Sequence, residues 1–281
     1  MRMVVLGDFH GKFSDKLKSK IEKENANLIV DFGDHFPFHY RDLWFKNSYD
    51  TRKPLWEFIG KKKYKQLILK DLIDGEKTLK KINSFKVPVI TVVGNIDYSN
   101  LFDTFDYKSS GWKWDEQDFF SKIIKKYKNI TNFIYSYYQF GHYIFIGAGG
   151  HSFPGRVKSK SYRKYRKILD KLFRRFSKDN HDKKVIFISH NVPYKTKLDL
   201  VSSEDAHELA KNRHFGSKLI RRAIDKYQPV LHVAGHVHES WGKQKIGKTL
   251  CVNPGSISDG RYAVVDLPES KKGKIKVRFV K

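Results

Sequence analysis

Alternation of strands and helices early in the chain, with short strands late, predicts an α/β protein of two packed mixed β-sheets flanked by helices. Three observations carry this. Five short apolar, β-branched runs (MRMVVLGDFH, NLIVDFGD, VPVITVVGNID, KKVIFISH and PVLHVAGHVH) each break into turn-forming residues, as buried strands do. Stretches of helical period lie between them. From Trp241 onward, turns at Ile246-Gly247-Lys248 and Asn253-Pro254-Gly255-Ser256 cut the chain into short strands.

In order, strand Met3–Leu6 enters the Asp8/His10 loop, and Ser14 is placed to cap a helix that runs to Glu24. Strand Asn27–Phe32 ends at Gly33-Asp34, and strand Val87–Val93 ends at Gly94-Asn95. Between them lies an insertion at about 36–85, rich in aromatics and Lys, expected to be helical and beside the site entrance. A second insertion at about 98–129 holds Trp112, Trp114 and a helix near Phe119–Tyr127. Strands at Phe133–Phe140 and His142–Gly147 follow, then a helix over Ser161–Phe176 with Tyr162, Tyr165, Leu169, Leu172 and Phe176 on one face. Strand Val185–Ser189 leads to His190, helix Ser217–Lys226 follows, and strand Val230–Ala234 carries the chain to Gly235-His236. The last strands are expected at Trp241–Ile246, Thr249–Val252, Arg261–Asp266 and Lys274–Val280. No repeat or linker divides the 281 residues, so one domain with two insertions is expected.

Composition bounds the function. Cys251 is the single cysteine, which excludes an internal disulfide and a thiolate zinc site and points to a reducing, cytoplasmic setting. The N-terminal apolar run is too short for a signal peptide. The uncharged stretch Asn132–Phe153 is interrupted by Gln139, Gly141 and His142, so no membrane role is expected. A net charge of +26 admits nucleic acid or another phosphorylated partner. The lead-in and outer face of the 161–176 helix, from Arg156 to Arg175, are the densest basic surface, read first as a solvated helix face. Oligomeric state is not legible.

Each buried run ends in a residue that binds metals: Asp8, His10, Asp34, Asn95, His190, His236 and His238. Functional groups of open α/β sheets gather at the carboxyl ends of strands. A mixed oxygen and nitrogen set suits first-row divalent ions, and seven ligands suit two ions sharing a carboxylate. His35 is expected to point away from the metals, and His232 to be a core residue. His39, His142, His151, His181 and His207 have no partner motif.

The ordered motifs Asp8-x-His10, Gly33-Asp34, Gly94-Asn95-Ile96-Asp97, His190 and Gly235-His236-x-His238 resemble the calcineurin-like metallophosphoesterases across most of the chain. The resemblance implies a four-layer αββα sandwich and metal-dependent phosphoester hydrolysis by a hydroxide bridging two divalent ions. Manganese is foremost among the metals, with iron, zinc, nickel or cobalt as alternatives. It further implies that Asp8, His10, Asp34 and His238 hold one ion. Asp34 bridges to the second, which Asn95, His190 and His236 also hold. One position departs from the pattern: Ile96 stands where many members carry a His that assists the leaving group. Phosphodiester substrates are therefore expected, with His214 as a replacement catalytic group beside Asp34 and Asn95, and Asn95, Tyr194, Lys195 and His214 as substrate contacts. Two other functions stay open: a nuclease using the basic surface, and a nucleic-acid-binding or scaffold protein with weak turnover on the same fold.

Overall fold

The computed structural model describes residues 1–281 except 50, 52, 102–110, 151–153, 203–209 and 270–272. The strands are, in chain order, β1 (Arg2–Leu6), β2 (Leu28–Asp31), β3 (Val89–Thr91), β4 (Ile130–Asn132), β5 (Tyr137–Phe140) and β6 (Tyr143–Ala148). Then come β7 (Val185–Asn191), β8 (Leu231–Gly235), β9 (Gly242–Ile246), β10 (Thr249–Asn253), β11 (Tyr262–Asp266) and β12 (Lys276–Val280). The helices are α1 (Asp15–Glu22), α2 (Arg41–Asn47), α3 (Trp56–Ile59), α4 (Lys61–Asn83), α5 (Phe119–Ile124), α6 (Lys160–Arg175), α7 (Ser177–His181) and α8 (Lys218–Tyr227).

Two six-stranded sheets form, ordered β12-β11-β1-β2-β3-β4 and β5-β6-β7-β8-β10-β9. In the first, β1 to β4 are parallel and β11 and β12 antiparallel. In the second, β6, β7, β8 and β10 are parallel, with antiparallel β5 and β9 at the edges. Alternation along β1 shows how the layers stack. Met3 and Val5 join Phe145, Ile186, Ile188 and Val233 in a core between the sheets. Val4 and Leu6 face the other way and pack with Ile21, Leu72, Leu79 and Phe120 of α1, α4 and α5. Leu169 of α6 and Leu219 and Ile224 of α8 cover the second sheet. Period-2 side chains buried on both faces thus give helix, sheet, sheet and helix layers.

Capping follows the sequence: Ser14, Ser159 and Ser217 each accept a bond from the backbone N–H three residues on. On α6 the buried positions are Tyr162, Tyr165, Leu169 and Phe173, while Leu172 and Phe176 are only half-buried. The apolar stripe follows the i+4 step from Leu169 to Phe173 instead of the expected step to Leu172. The sequence reading missed β4, because three residues of which one is buried carry no periodic signal.

Candidate dinuclear metal site

The ligand-bearing loops leave β1, β2, β3, β7 and β8 at their carboxyl ends. Their backbones lock to one another: Asp8 N–H donates to Gly33 O (2.8 Å) and His10 N–H to Asp34 O (3.0 Å). Asp8, His10, Asp34 and His236 have φ of 53°, 47°, 58° and 71°, a left-handed conformation uncommon outside glycine. Four such residues in one site mean that surrounding contacts hold the chain where those side chains must point. Gly33 and Gly94 make the closest approach. A Cβ on Gly33 would lie 2.2 Å from Gly94 N, and one on Gly94 would lie 1.9 Å from Asp34 Oδ1. The glycines before Asp34 and Asn95 are thus required by contact between the ends of β2 and β3.

The seven side chains converge. His10 Nε2 lies 3.2 Å from His238 Nε2, and Asp8 Oδ1 is 3.5 Å from His238 Nε2. Asn95 Oδ1 sits 2.7 Å from His190 Nε2 and 2.8 Å from His236 Nδ1. Asp34 Oδ2 lies 3.5 Å from His190 Nε2 and 4.0 Å from His10 Nε2, between the two groups. Ligand atoms of Asp8, His10 and His238 lie within 4.8 Å of one another, as do those of Asp8, Asp34 and His190. His190 Nδ1–H donates to Phe32 O (3.0 Å), which turns Nε2 toward Asn95 and Asp34. Asp8 Oδ2 accepts the His236 N–H (2.9 Å), while Asp8 Oδ1 is buried without a hydrogen-bond partner. Oxygen and imidazole donors converging on a buried carboxylate oxygen that no hydrogen bond satisfies form an arrangement that cations complete. The donors, oxygen and imidazole nitrogen, fit first-row divalent ions.

Burial and mutual charge separate the titrating groups. Burial lowers His236 to about 3 and, with repulsion from His238, lowers His10 to about 4. His238 is also buried, but the Asp8 carboxylate outweighs that and raises it to about 9. For Asp8, burial is outweighed by the attraction of His238, His190 and His10, so it stays ionised. Asp34 is raised to about 7 by burial, against the pull of His190 and with repulsion from Asp97 and Asp8.

Beneath the ligands lies a buried triad. His35 points away from the ligand cluster, with Nε2 2.6 Å from Asp31 Oδ2 and Nδ1 3.0 Å from Asp97 Oδ2. Burial disfavours its charge, but the two carboxylates dominate and hold it well above the usual imidazole range. The imidazolium lies between Phe9 (ring centroids 5.7 Å) and Phe120 (5.3 Å), both nearly parallel to it. Asp97 accepts the backbone N–H groups of Asp34 (2.8 Å), His35 (2.7 Å) and Gly94 (2.7 Å). The carboxylate that follows Ile96 therefore positions the backbone of Asp34. Asp31 escaped the sequence reading; its signal was a carboxylate closing an apolar strand four residues before His35.

A cavity of about 1410 Å³ opens over the ligands, lined by His10, Asp34, Asn95, His236 and His238. The 36–85 insertion supplies much of its wall and does lie beside the entrance, as expected. Ile96 lines it too, its N–H donating to Asp34 Oδ1 (3.1 Å). Tyr194, Lys195 and His214 are not among the lining residues. His214 Nδ1 is 2.8 Å from Asp199 Oδ1, and Asp199 also accepts the N–H groups of Lys195, Thr196 and Gly216, so this carboxylate organises the loop. Lys195 and Lys218 stack on the Tyr194 ring. The neighbouring Phe215 reaches the cavity instead. The exposed basic residues of α6 lie over the outer face of the second sheet and do not line the cavity. His232 is core, and His39 lines the cavity with Nε2 3.0 Å from Asp74 Oδ2. His151 and His207 lie outside the described residues. No helix among the described residues is long and apolar enough to cross a membrane.

Residues 1–277 match the family described as "Metallophosphoesterase, calcineurin superfamily". An uncharacterised protein of Methanocaldococcus jannaschii, MJ1162, is 29% identical over 183 residues, covering 63% of this chain and 67% of its own. The crystal structure of TT1561 of Thermus thermophilus is similar in fold at 15% identity, with a TM-score of 0.53 over 99% of this chain and 97% of the other. A dimetal phosphatase from Danio rerio is similar at 12% identity, with a TM-score of 0.54 over 99% and 98%.

Proposed function

Since the chain belongs to the calcineurin superfamily of metallophosphoesterases and is a metal-dependent hydrolase of phosphoric esters, we propose that its substrate is a phosphodiester. Two divalent ions, manganese foremost, would be held by the converging side chains. One would take Asp8, His10, Asp34 and His238; the other would take Asn95, His190 and His236, with Asp34 shared between them. Bound there, the ions supply Lewis acidity toward a phosphoryl oxygen and acidify water.

The chain's own contribution is positioning. Phe32 O sets the His190 tautomer, the His236 N–H orients Asp8, and Asp97 holds the backbone under Asp34. The observation that carries the diester reading is the cavity. At about 1410 Å³, it has Phe38, Trp44 and Phe45 on its walls as well as Val201 and Phe215, room for a substituent on both ester arms. Ile96 supports the same reading, because an aliphatic side chain gives no proton to a departing alkoxide and favours esters whose leaving group departs without one.

Metal-stripped protein reconstituted with Mn²⁺ tests this with bis(p-nitrophenyl) phosphate and p-nitrophenyl phosphate. We expect kcat/KM at least ten-fold higher on the diester; equal or greater monoester turnover would remove the diester assignment.

A further inference from the structure

The segment after Asp34 divides its aromatic residues in two. Phe36 is buried in the core and Tyr40 is buried at the cavity's base, whereas Phe38, Trp44, Phe45 and Tyr49 are only half-buried and line the cavity that also holds the metal-binding side chains. A lid folded only for its own stability would bury such rings, since each aromatic side chain carries a large apolar area. Instead they pack on one another, Trp44 edge to face with Phe45 (5.2 Å) and Tyr49 (5.5 Å), and in tilted pairs Phe38 on Trp44 (6.0 Å) and Phe45 on Tyr49 (5.1 Å). The Arg41 guanidinium stacks 5.1 Å from the Phe45 ring and also lines the cavity. The wall is anchored to the ligand loops. Gly11 N–H donates to His35 O (3.1 Å), and Phe38 follows Asp34 by four residues, which limits their separation to roughly 14 Å.

We propose that the α2 wall, with Trp44 and Arg41 at its centre, is a subsite for the nucleobase of a small nucleotide ester whose phosphate lies at the metal-binding residues. Half-buried aromatic faces take any base by stacking, and a guanidinium beside them donates to ring nitrogens and carbonyl oxygens. An aliphatic or lipid arm would use neither the guanidinium nor the flat ring faces. The cavity volume accommodates one or two nucleotides.

This inference rests on the phosphoester-binding reading of the same cavity, and calorimetry separates the two. Binding of AMP and of ribose 5-phosphate to the Mn²⁺-loaded protein isolates the base. AMP is expected to bind at least five-fold more tightly, the lower end of what one stacked base contributes. Trp44→Ala should reduce that ratio toward one, and Trp44→Phe, which keeps an aromatic face, should largely preserve it. Phe45→Ala gives an independent reading should Trp44→Ala fail to fold. Equal affinity of the wild-type protein for the two ligands would overturn the subsite even if diesters are hydrolysed. A clear AMP preference without diester turnover would leave the subsite standing and remove the diester assignment. A single-stranded oligonucleotide should compete with AMP no better than a mononucleotide does. Far tighter competition that weakens steeply with salt would reassign the base to a polymer and overturn the small-nucleotide proposal.

Discussion

Asp97→Asn isolates the buried triad under the metal-binding residues. Asp97 Oδ2 accepts from Asp34 N, Gly94 N and His35 Nδ1, and Oδ1 accepts from His35 N. The amide is isosteric, but one of its two positions becomes an NH₂ group facing a donor. The NH₂ takes the Oδ1 place, where it faces only the His35 N–H, and leaving that buried donor without an acceptor costs about 1–3 kcal/mol. Removing one partner of a buried ion pair costs about 3–5 kcal/mol on its own. The two costs overlap, because His35 still pairs with Asp31 and relieves part of the strain by losing its proton. A net loss of about 3–5 kcal/mol is expected, which for a chain of this size lowers the melting temperature by roughly 5–8 °C. The same substitution replaces the charged acceptor of the Asp34 N–H by a neutral, weaker one, so Mn²⁺ affinity should fall about 10- to 100-fold, as for other groups that hold a ligand in place. Scanning calorimetry of the metal-free protein and a Mn²⁺ titration read the two effects separately. A variant melting within about 2 °C of wild type with unchanged Mn²⁺ affinity would refute the role assigned to Asp97.

Gly94→Ala places a Cβ 1.9 Å from Asp34 Oδ1 and 2.4 Å from Asp34 N. The ends of β2 and β3 must separate, and bound Mn²⁺ measured by elemental analysis should drop well below wild type; full occupancy would show that the approach is not required. His232 is buried, its Nε2–H donating to Ser189 Oγ (2.8 Å), and burial lowers it to about 3. Its unfolded value is near 6.5, so between those values the unfolded chain holds the extra proton and stability falls as pH falls. From pH 7 to 5 the loss from this group is about 2 kcal/mol, and His232→Asn, which keeps a donor, should show a correspondingly shallower decline in urea unfolding. Parallel pH profiles for the two proteins would count against a buried neutral imidazole.

The candidate metal residues were legible because their chemistry is local. A carboxylate, amide or imidazole at the end of an apolar strand is written in consecutive residues, and all seven converge in the fold. The strand and helix framework was legible for the same reason, through periodicity and the Ser14 cap, except where β4 was too short to show a period. What escaped depends on approach between distant segments. The pairing of Asp31, His35 and Asp97 exists only because β2 and β3 run side by side with glycines at their ends, which no spacing within either strand reveals. His214 shows the converse. It was expected at the substrate, yet Asp199, fifteen residues earlier, holds its Nδ1 and gathers the loop around a buried carboxylate. The aromatic insertion was expected to be helical and beside the site entrance, without an assigned purpose. Its division into core Phe36 and cavity-lining Phe38, Trp44 and Phe45 spans the turn at 39–40 and the start of α2, so no single helical or strand period reveals it. The ligand set argues for the reaction class, whereas the choice among phosphoesters depends on walls whose facing only the folded chain determines.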